Sequence, residues 1–207
     1  MPKEYMTIIN HLESTLDRYG DTYRGHDWTR DADAKICYQV MLDMTLPRSQ
    51  PATLLDFGCG TSLFYNFMLE QGITGLSYSG LDISPKFIEL AQKKYPDITY
   101  YQFDILDDDE KLPEFDYIVM NGVFTEKREL SYDQMWDYFC SVVTRVFRHA
   151  RVGIAFNVMS KQVDWERDDL FHVKIDDVAT FLTRELSRKF VIRHDYRLYQ
   201  YTVYVYR

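Results

Sequence analysis

Five short apolar segments lie between Ala52 and Met159, and helix-length amphipathic stretches separate most of them. No other feature constrains the fold as much. Strands joined by helical crossovers run parallel, and a parallel sheet buries both faces under helices. The segments read "ATLLDF", "LSYSGLDIS", "ITYYQFDIL", "FDYIVMNGVF" and "RVGIAFNVM". The fourth is apolar nearly throughout, as expected of a strand covered on both sides. Between them, Leu63, Phe64, Phe67 and Met68 form one helix face that Gly72 stops. Ser84-Pro85 supplies an N-cap and a first-turn proline for the next helix, which turns Phe87, Leu90 and Ala91 inward. From Ser131 to Ala150 a long helix carries Met135, Phe139, Val142, Val146 and Phe147 in one stripe. Asp176 is placed to cap a further helix bearing Val178, Phe181, Leu182 and Leu186.

Both ends of the chain depart from this alternation. "FVIRHDY" and "QYTVYVYR" have too few residues between them for a crossover, so they form an antiparallel hairpin. At the other end, Ile8, Ile9, Leu12 and Leu16 fall at helical spacing between Pro2 and about Tyr19. "YGDTYRGHDWTRDADA" breaks the pattern, and a second helix with Ala34, Cys37, Val40, Met41 and Met44 on one face ends before Pro47. With 207 residues, 46% of them hydrophobic, the chain suits one domain with a full core. The expected architecture is a helical lid over residues 1–50 and a doubly wound, mostly parallel α/β core over 51–207.

Composition excludes several function classes. A net charge of −8 with no basic run argues against a nucleic-acid partner, since phosphate binding needs a basic surface. Cys37, Cys59 and Cys140 match neither a disulfide framework nor a metal-site spacing, which suggests reduced thiols and no metal. "MPKEYMTIIN" lacks an apolar signal region and no segment has membrane-spanning length, so the expectation is a cytoplasmic protein without a membrane partner. The tyrosines of "DYRLYQYTVYVYR" would cover a helix or, on an edge, pair with a second copy as a homodimer contact.

The chemistry concentrates where the first strand runs into Gly58 and Gly60. Asp56 ends that strand, Asp82 the second and Asp104 the third, all on the C-terminal edge where open α/β sheets bind ligands. A pyrophosphate wants the third glycine of G-x-G-x-x-G, but here Gly60 is followed by Thr61, Ser62 and Leu63. Three carboxylates would also repel it. A cationic nucleoside without phosphate fits better, and S-adenosylmethionine has a sulfonium, an ammonium and a ribose diol. On this reading Asp56 orients the loop or the ammonium, Asp82 holds the ribose and Asp104 accepts the adenine amino hydrogens.

These residues carry a family resemblance. "LLDFGCGTS", "GLDIS", "FDIL" and "FDYIVMNGVF" resemble the first four motifs of the class I S-adenosylmethionine-dependent methyltransferases, and the closing hairpin resembles their last two strands. "YGDTYRGHDW" and the tail look like those of a small bacterial subgroup. The resemblance covers roughly Ala52 to Arg207 and implies a seven-stranded Rossmann-like sheet, S-adenosyl-L-methionine as cofactor, and methyl transfer. It also implies a cofactor site made by Asp56, Gly58, Cys59, Gly60, Asp82, Ile83, Asp104, Ile105, Asn121 and Gly122. Two positions depart from the family: Ser62 stands where a glycine is frequent, and Asn121-Gly122 replaces the Asn/Asp-Pro-Pro-Tyr box of amino-group DNA methyltransferases. The second departure, with the acidic charge, points to a small-molecule acceptor such as a sugar or natural-product intermediate, oxygen being favoured over nitrogen.

An oxygen acceptor needs a base within hydrogen-bond reach. His172 and His26 are the candidates, each with a plainer reading as a loop histidine bound to solvent or backbone. Trp28 and Glu126 are placed on the acceptor side; otherwise Trp28 packs on the second helix and Glu126 caps a surface helix. Two rival functions stand beside this one. A nicotinamide-dependent oxidoreductase is disfavoured by the missing third glycine and the terminal hairpin. A binding-only protein of the same fold is disfavoured by the intact loop residues.

Overall fold

The computed structural model describes residues 3–47 and 50–207. Pro2, where the first helix was expected to begin, lies outside them. The chain opens with α1 (Met6–Tyr19), a single 3-10 turn at Arg24–His26, and α2 (Asp31–Asp43). The alternating core follows: β1 (Ala52–Phe57), α3 (Leu63–Glu70), β2 (Leu76–Asp82), α4 (Pro85–Lys94) and β3 (Thr99–Gln102). Then come β4 (Phe115–Phe124), α5 (Tyr132–Arg148), β5 (Ala150–Ser160), β6 (His172–Val173) and α6 (Ile175–Phe181). β7 (Phe190–Arg193) and β8 (Gln200–Tyr206) close the chain.

The sheet order is β3-β2-β1-β4-β5-β8-β7. β1, β2, β3, β4 and β5 are mutually parallel, while β8 runs antiparallel to both β5 and β7. This is the expected doubly wound sheet of seven strands, with the two-residue β6 added along β5 as an eighth. Pleating sorts successive residues to opposite faces. Leu55, Ile118, Ile154 and Val203 face α5 and α6, whereas Leu54, Val119, Ala155 and Tyr204 face α2 and α3. Both faces are buried under helices, which explains why β4 reads as an unbroken apolar run.

Three sequence expectations are corrected here. α2 is less a lid than a layer helix: Ala34, Cys37 and Met41 are fully buried against the sheet side shared with α3. α1 and the turn after it cover the C-terminal edge, to which α2 adds Asp33 and Tyr38. α6 begins at Ile175 with Lys174 at its N-cap, and Asp176 lies inside the first turn without capping it. Finally, β8 is interior and not an edge strand, so Tyr201 and Tyr204 are buried within the chain itself. Among the described residues, no helix is long and apolar enough to cross a membrane.

α5 shows how local signals and packing agree. Ser131 and Gln134 form a capping box, with hydrogen bonds of 3.2 and 2.8 Å. Its inward stripe drives Phe139 edge-on against Phe124 and Phe156, with centroids 5.1 and 5.2 Å apart. Phe139 is completely buried. Phe139→Ala is expected to destabilise the fold by ~3–5 kcal/mol, measured by urea denaturation with an unchanged m-value.

Candidate active site

The carboxyl ends of β1, β2 and β4 open onto one cleft of about 560 Å³. It lies where the strand order reverses between β1 and β4, the position at which open α/β sheets leave a crevice. The floor is the glycine loop. Gly58 and Gly60 have φ of +77° and +53°, and a Cβ on Gly60 would fall 2.3 Å from His26. Ser62 adopts φ +64° without being glycine. Left-handed backbone at a serine costs on the order of 1 kcal/mol. The serine hydroxyl offsets this by bonding the Tyr100 hydroxyl at 2.8 Å.

Asp82 fastens the loop. One carboxyl oxygen accepts from Gly60 N and the other from Ser84 N, both at 2.9 Å. Burial pushes its carboxyl up to about 6, against the pull of those backbone N–H groups. Asp56, buried beneath the loop, accepts from the Tyr78 hydroxyl at 2.8 Å. Burial raises its carboxyl to about 7, with Asp82 adding repulsion. Asp104 stands two residues past β3 and accepts from Lys3 Nζ at 2.6 Å, Tyr5 Oη at 2.5 Å and Leu106 N at 2.9 Å. Burial opposes its ionisation, yet the bonds from Lys3 and Tyr5 hold it below the ordinary carboxylate range.

All ten residues expected around the cofactor line this cleft, and so do Trp28, Glu126, His26 and His172. The structure therefore brings the whole expected set together, but it changes what the histidines can do. His172 is not in a loop: it sits on β6, buried, with Nδ1 2.7 Å from the Ser160 carbonyl oxygen. Its Nε2 accepts from Arg167 N at 3.3 Å. With Nδ1–H donating and Nε2 accepting, both ring nitrogens are spent on backbone and none is left for an acceptor proton. His26 lies on the glycine loop, its Nε2 2.7 Å from Thr61 Oγ1 and its ring 5.2 Å from Phe87. Thr61 in turn donates to Asp21. Burial pushes the His26 imidazole down to about 4, so it is a neutral wall of the glycine loop. Trp28 packs edge-on against Tyr38 of α2 at 6.4 Å while also lining the cleft.

Other functional-looking groups escaped sequence reading. Asn157, a lone amide in the apolar β5, accepts from Gly122 N at 2.8 Å and donates to Gln200 at 2.8 Å and to Asn121 at 3.3 Å. It thereby fixes the end of β4, where the register with β5 shifts. A polar amide inside an otherwise apolar strand was the available signal. At the outer end, Asp27, Glu126 and Arg128 form a charged cluster. Arg128 reaches Asp27 at 2.6 Å and Glu126 at 2.7 Å, and His11 Nε2 is 3.0 Å from Asp27. Among the described residues, seven acidic side chains line the cleft against a single arginine, Arg167. Such walls favour a cation and disfavour an anion.

Residues 55–139, spanning the glycine loop to the middle of α5, match the family described as "Methyltransferase domain". The chain has the fold of S-adenosylmethionine-dependent methyltransferases. Over 160 residues it is 26% identical to Rv1506c of Mycobacterium tuberculosis, whose methyltransferase label is provisional; the match covers 76% of this chain and 94% of that protein. Magnesium protoporphyrin IX methyltransferase from Synechocystis, crystallised with S-adenosylmethionine, has the same fold at TM-score 0.67 and 16% identity, covering 100% of this chain and 98% of that one. The 1,6-didemethyltoxoflavin-N1-methyltransferase of Burkholderia thailandensis shares it at TM-score 0.64 and 17% identity, covering 100% and 90%. The sheet of this chain closes with the antiparallel β7–β8 pair expected from the short connection between these segments.

The neutral His26 makes a pH prediction. Its folded pKa lies below the ordinary value of 6.5, so the unfolded chain binds more protons between about pH 4 and 6.5. The His26 contribution to stability is therefore intact above pH 6.5 and is lost as pH falls through that window. Asp56 and Asp82 act with the opposite sign, because their folded pKa values are raised. The difference between wild type and His26→Gln isolates the histidine. Wild type should lose at most about 3 kcal/mol relative to the variant between pH 7 and 4, measured by denaturation at each pH.

Proposed function

We propose that this chain is an S-adenosylmethionine-dependent methyltransferase that acts on a small, hydroxyl-bearing acceptor held in the outer half of the cleft, above the glycine loop. The observation that carries the reading is the continuity of one acidic cleft from Asp82 and the glycine loop to Trp28 and Glu126. Its inner half suits the adenosyl group. Asp82 keeps unused lone pairs beyond its two loop bonds and can accept from a ribose diol, while Asp104 and the backbone after β3 flank the base. Bound there, S-adenosylmethionine supplies an activated methyl carbon. The residues of the chain align the acceptor, exclude water and manage its proton.

The outer half favours a compact, partly planar acceptor. Trp28, Trp165, Tyr199 and Leu198 line it, with Asp27, Glu126 and Asp164 as the polar groups. Aromatic walls bury flat rings and the CH faces of sugars, and the acidic groups accept from hydroxyls. The same acidity disfavours an RNA or DNA backbone. The related enzymes named above act on a porphyrin and on a toxoflavin precursor, which supports the small-molecule class. Oxygen is preferred to nitrogen as the acceptor atom because carboxyl groups line the end where the acceptor would lie.

Calorimetry with S-adenosylhomocysteine tests the cofactor half of this reading. Wild type should bind with one site per chain, and Asp82→Ala should weaken binding at least about 100-fold, through loss of both the ribose acceptor and the clasp on Gly60. Unchanged affinity in the variant removes the ribose assignment. Binding of a nicotinamide dinucleotide in place of S-adenosylhomocysteine overturns the reading as a whole. Screening hydroxyl and amine compounds for S-adenosylhomocysteine release then tests the acceptor class, with hydroxyl compounds expected to dominate the hits.

A further inference from the structure

We propose that Glu126, paired with Asp27, is the group that takes the acceptor's proton. The inference rests on the methyl-transfer reading above and assigns the role that neither histidine in the cleft can fill. Glu126 stands four residues beyond Gly122, on the wall between the end of β4 and Trp28. It is held there by a bridge between its own backbone and Leu170, and its side chain keeps only 14% exposure. Asp27 reaches the same point from the turn after α1, in left-handed backbone at φ +58°. Their carboxyl oxygens and His11 lie within 4.8 Å of one another.

The groups around the pair separate its two members. His11 from α1 and Arg128 from the segment after β4 both contact Asp27, so its charge is well compensated. Arg128 also touches Asp169, which Arg167 binds at 2.5 Å, so part of the guanidinium charge is shared outward. Glu126 has Arg128 Nε at 2.7 Å and faces the carboxyl of Asp27. The two carboxyl groups lie within 4.8 Å of each other, and a proton shared by such a pair resides on the less exposed member, Glu126. Burial and the neighbouring Asp27 carboxyl raise Glu126 to about 7, while contacts with His11 and Arg128 help hold Asp27 low against its partial loss of water. The pair, Glu126 largely buried and Asp27 more exposed, thus offers a base poised near neutral pH beside an anion, the separation that assigns acid and base roles.

The step balances without a further reagent. With Glu126 ionised, the acceptor O–H proton passes to a Glu126 carboxyl oxygen as the acceptor oxygen bonds the methyl carbon. The carbon–sulfur bond breaks and its electron pair stays on sulfur. The products are methylated acceptor, S-adenosylhomocysteine and a protonated Glu126, which returns its proton to solvent through the cleft mouth. The grouping of His11, Asp27 and Glu126 is also one a divalent ion could occupy, but the Arg128 guanidinium bridges the two carboxylates there.

Two measurements on the full chain test this. The first needs no acceptor: carbon-13 carboxyl NMR of the complex with S-adenosylhomocysteine should show one glutamate titrating between pH 6 and 8. That signal should vanish in Glu126→Gln and move down by about one pH unit or more in Asp27→Asn. The second follows S-adenosylhomocysteine release with 4-methylumbelliferone, a planar phenol, as the probe acceptor. Wild-type kcat/KM should rise with pH through about 7 and then level, whereas Glu126→Gln should lose about 100-fold in kcat with unchanged S-adenosylhomocysteine affinity. Glu126→Asp should recover part of that loss. The proposal is overturned if no carboxyl titrates in that range, if Glu126→Gln turns over within threefold of wild type, or if EDTA abolishes turnover and Mg²⁺ restores it. Failure of the methyl-transfer reading looks different, since wild type would then not bind S-adenosylhomocysteine at all.

Discussion

The cleft depends on one buried carboxylate. Asp82 ends β2 and accepts from the backbone of Gly60 and of Ser84, tying the loop after β1 to the turn before α4. Gly58 N and Cys59 N bond the Leu81 carbonyl oxygen, so without that clasp it is Gly60 N, at the turn of the loop, that loses its partner. The parallel register makes the clasp possible. β1 and β2 pair from Ala52–Leu76 through Phe57–Leu81, so the two strands deliver their last residues to the same height. A slip of one residue would turn Asp82 toward a helix layer.

Around this clasp the N-terminal segment completes the enclosure by polar contacts of long reach. Lys3 and Tyr5 bind Asp104, Glu13 accepts from Ser84, and Lys86 and Lys94 pair with Asp17 and Asp21. Most of these ion pairs are exposed, and each contributes little alone. Together they orient α1 so that Ile8, Ile9 and Leu12 present their apolar side to the cleft. Burial of that apolar stripe, rather than the ion pairs, holds the helix down.

The electrostatic pattern follows from the same enclosure. Asp56 and Asp82 are driven upward by loss of water, Asp104 is held down by a lysine and a tyrosine, and Asp27 and Glu126 are split by their neighbours. A cationic ligand entering such a cleft finds compensating charge already in place and little reorganisation to perform. Asn157 has a comparable role in neutral form. By satisfying Gly122, Asn121 and Gln200 at once, it lets β4 change register at the site without leaving a buried polar group unpaired.

Much of this was legible in the chain before folding was considered. Strand and helix periods, the Ser84-Pro85 start and the short connection before "QYTVYVYR" are local signals, so the sheet, its closing antiparallel pair and the three strand-end aspartates follow from neighbours a few residues apart. Ser62, Asn157 and the interior place of Tyr201 were harder, because burial depends on what covers a residue and not on its own type. For the histidines the plainer reading, a ring bonded to backbone, holds for His172, while the partners that decide their chemistry are not visible in sequence. His172 is silenced by the Arg167 and Ser160 backbone, and His26 by the glycine loop 34 or more residues away in sequence. Likewise, Asp27 and Arg128 meet across 101 positions, a contact that exists only once β4 and the segment after α1 share one cleft. Local periodicity and turn chemistry thus determined the scaffold and its ligand edge, while long-range packing alone decided which side chains there keep a free proton-accepting atom.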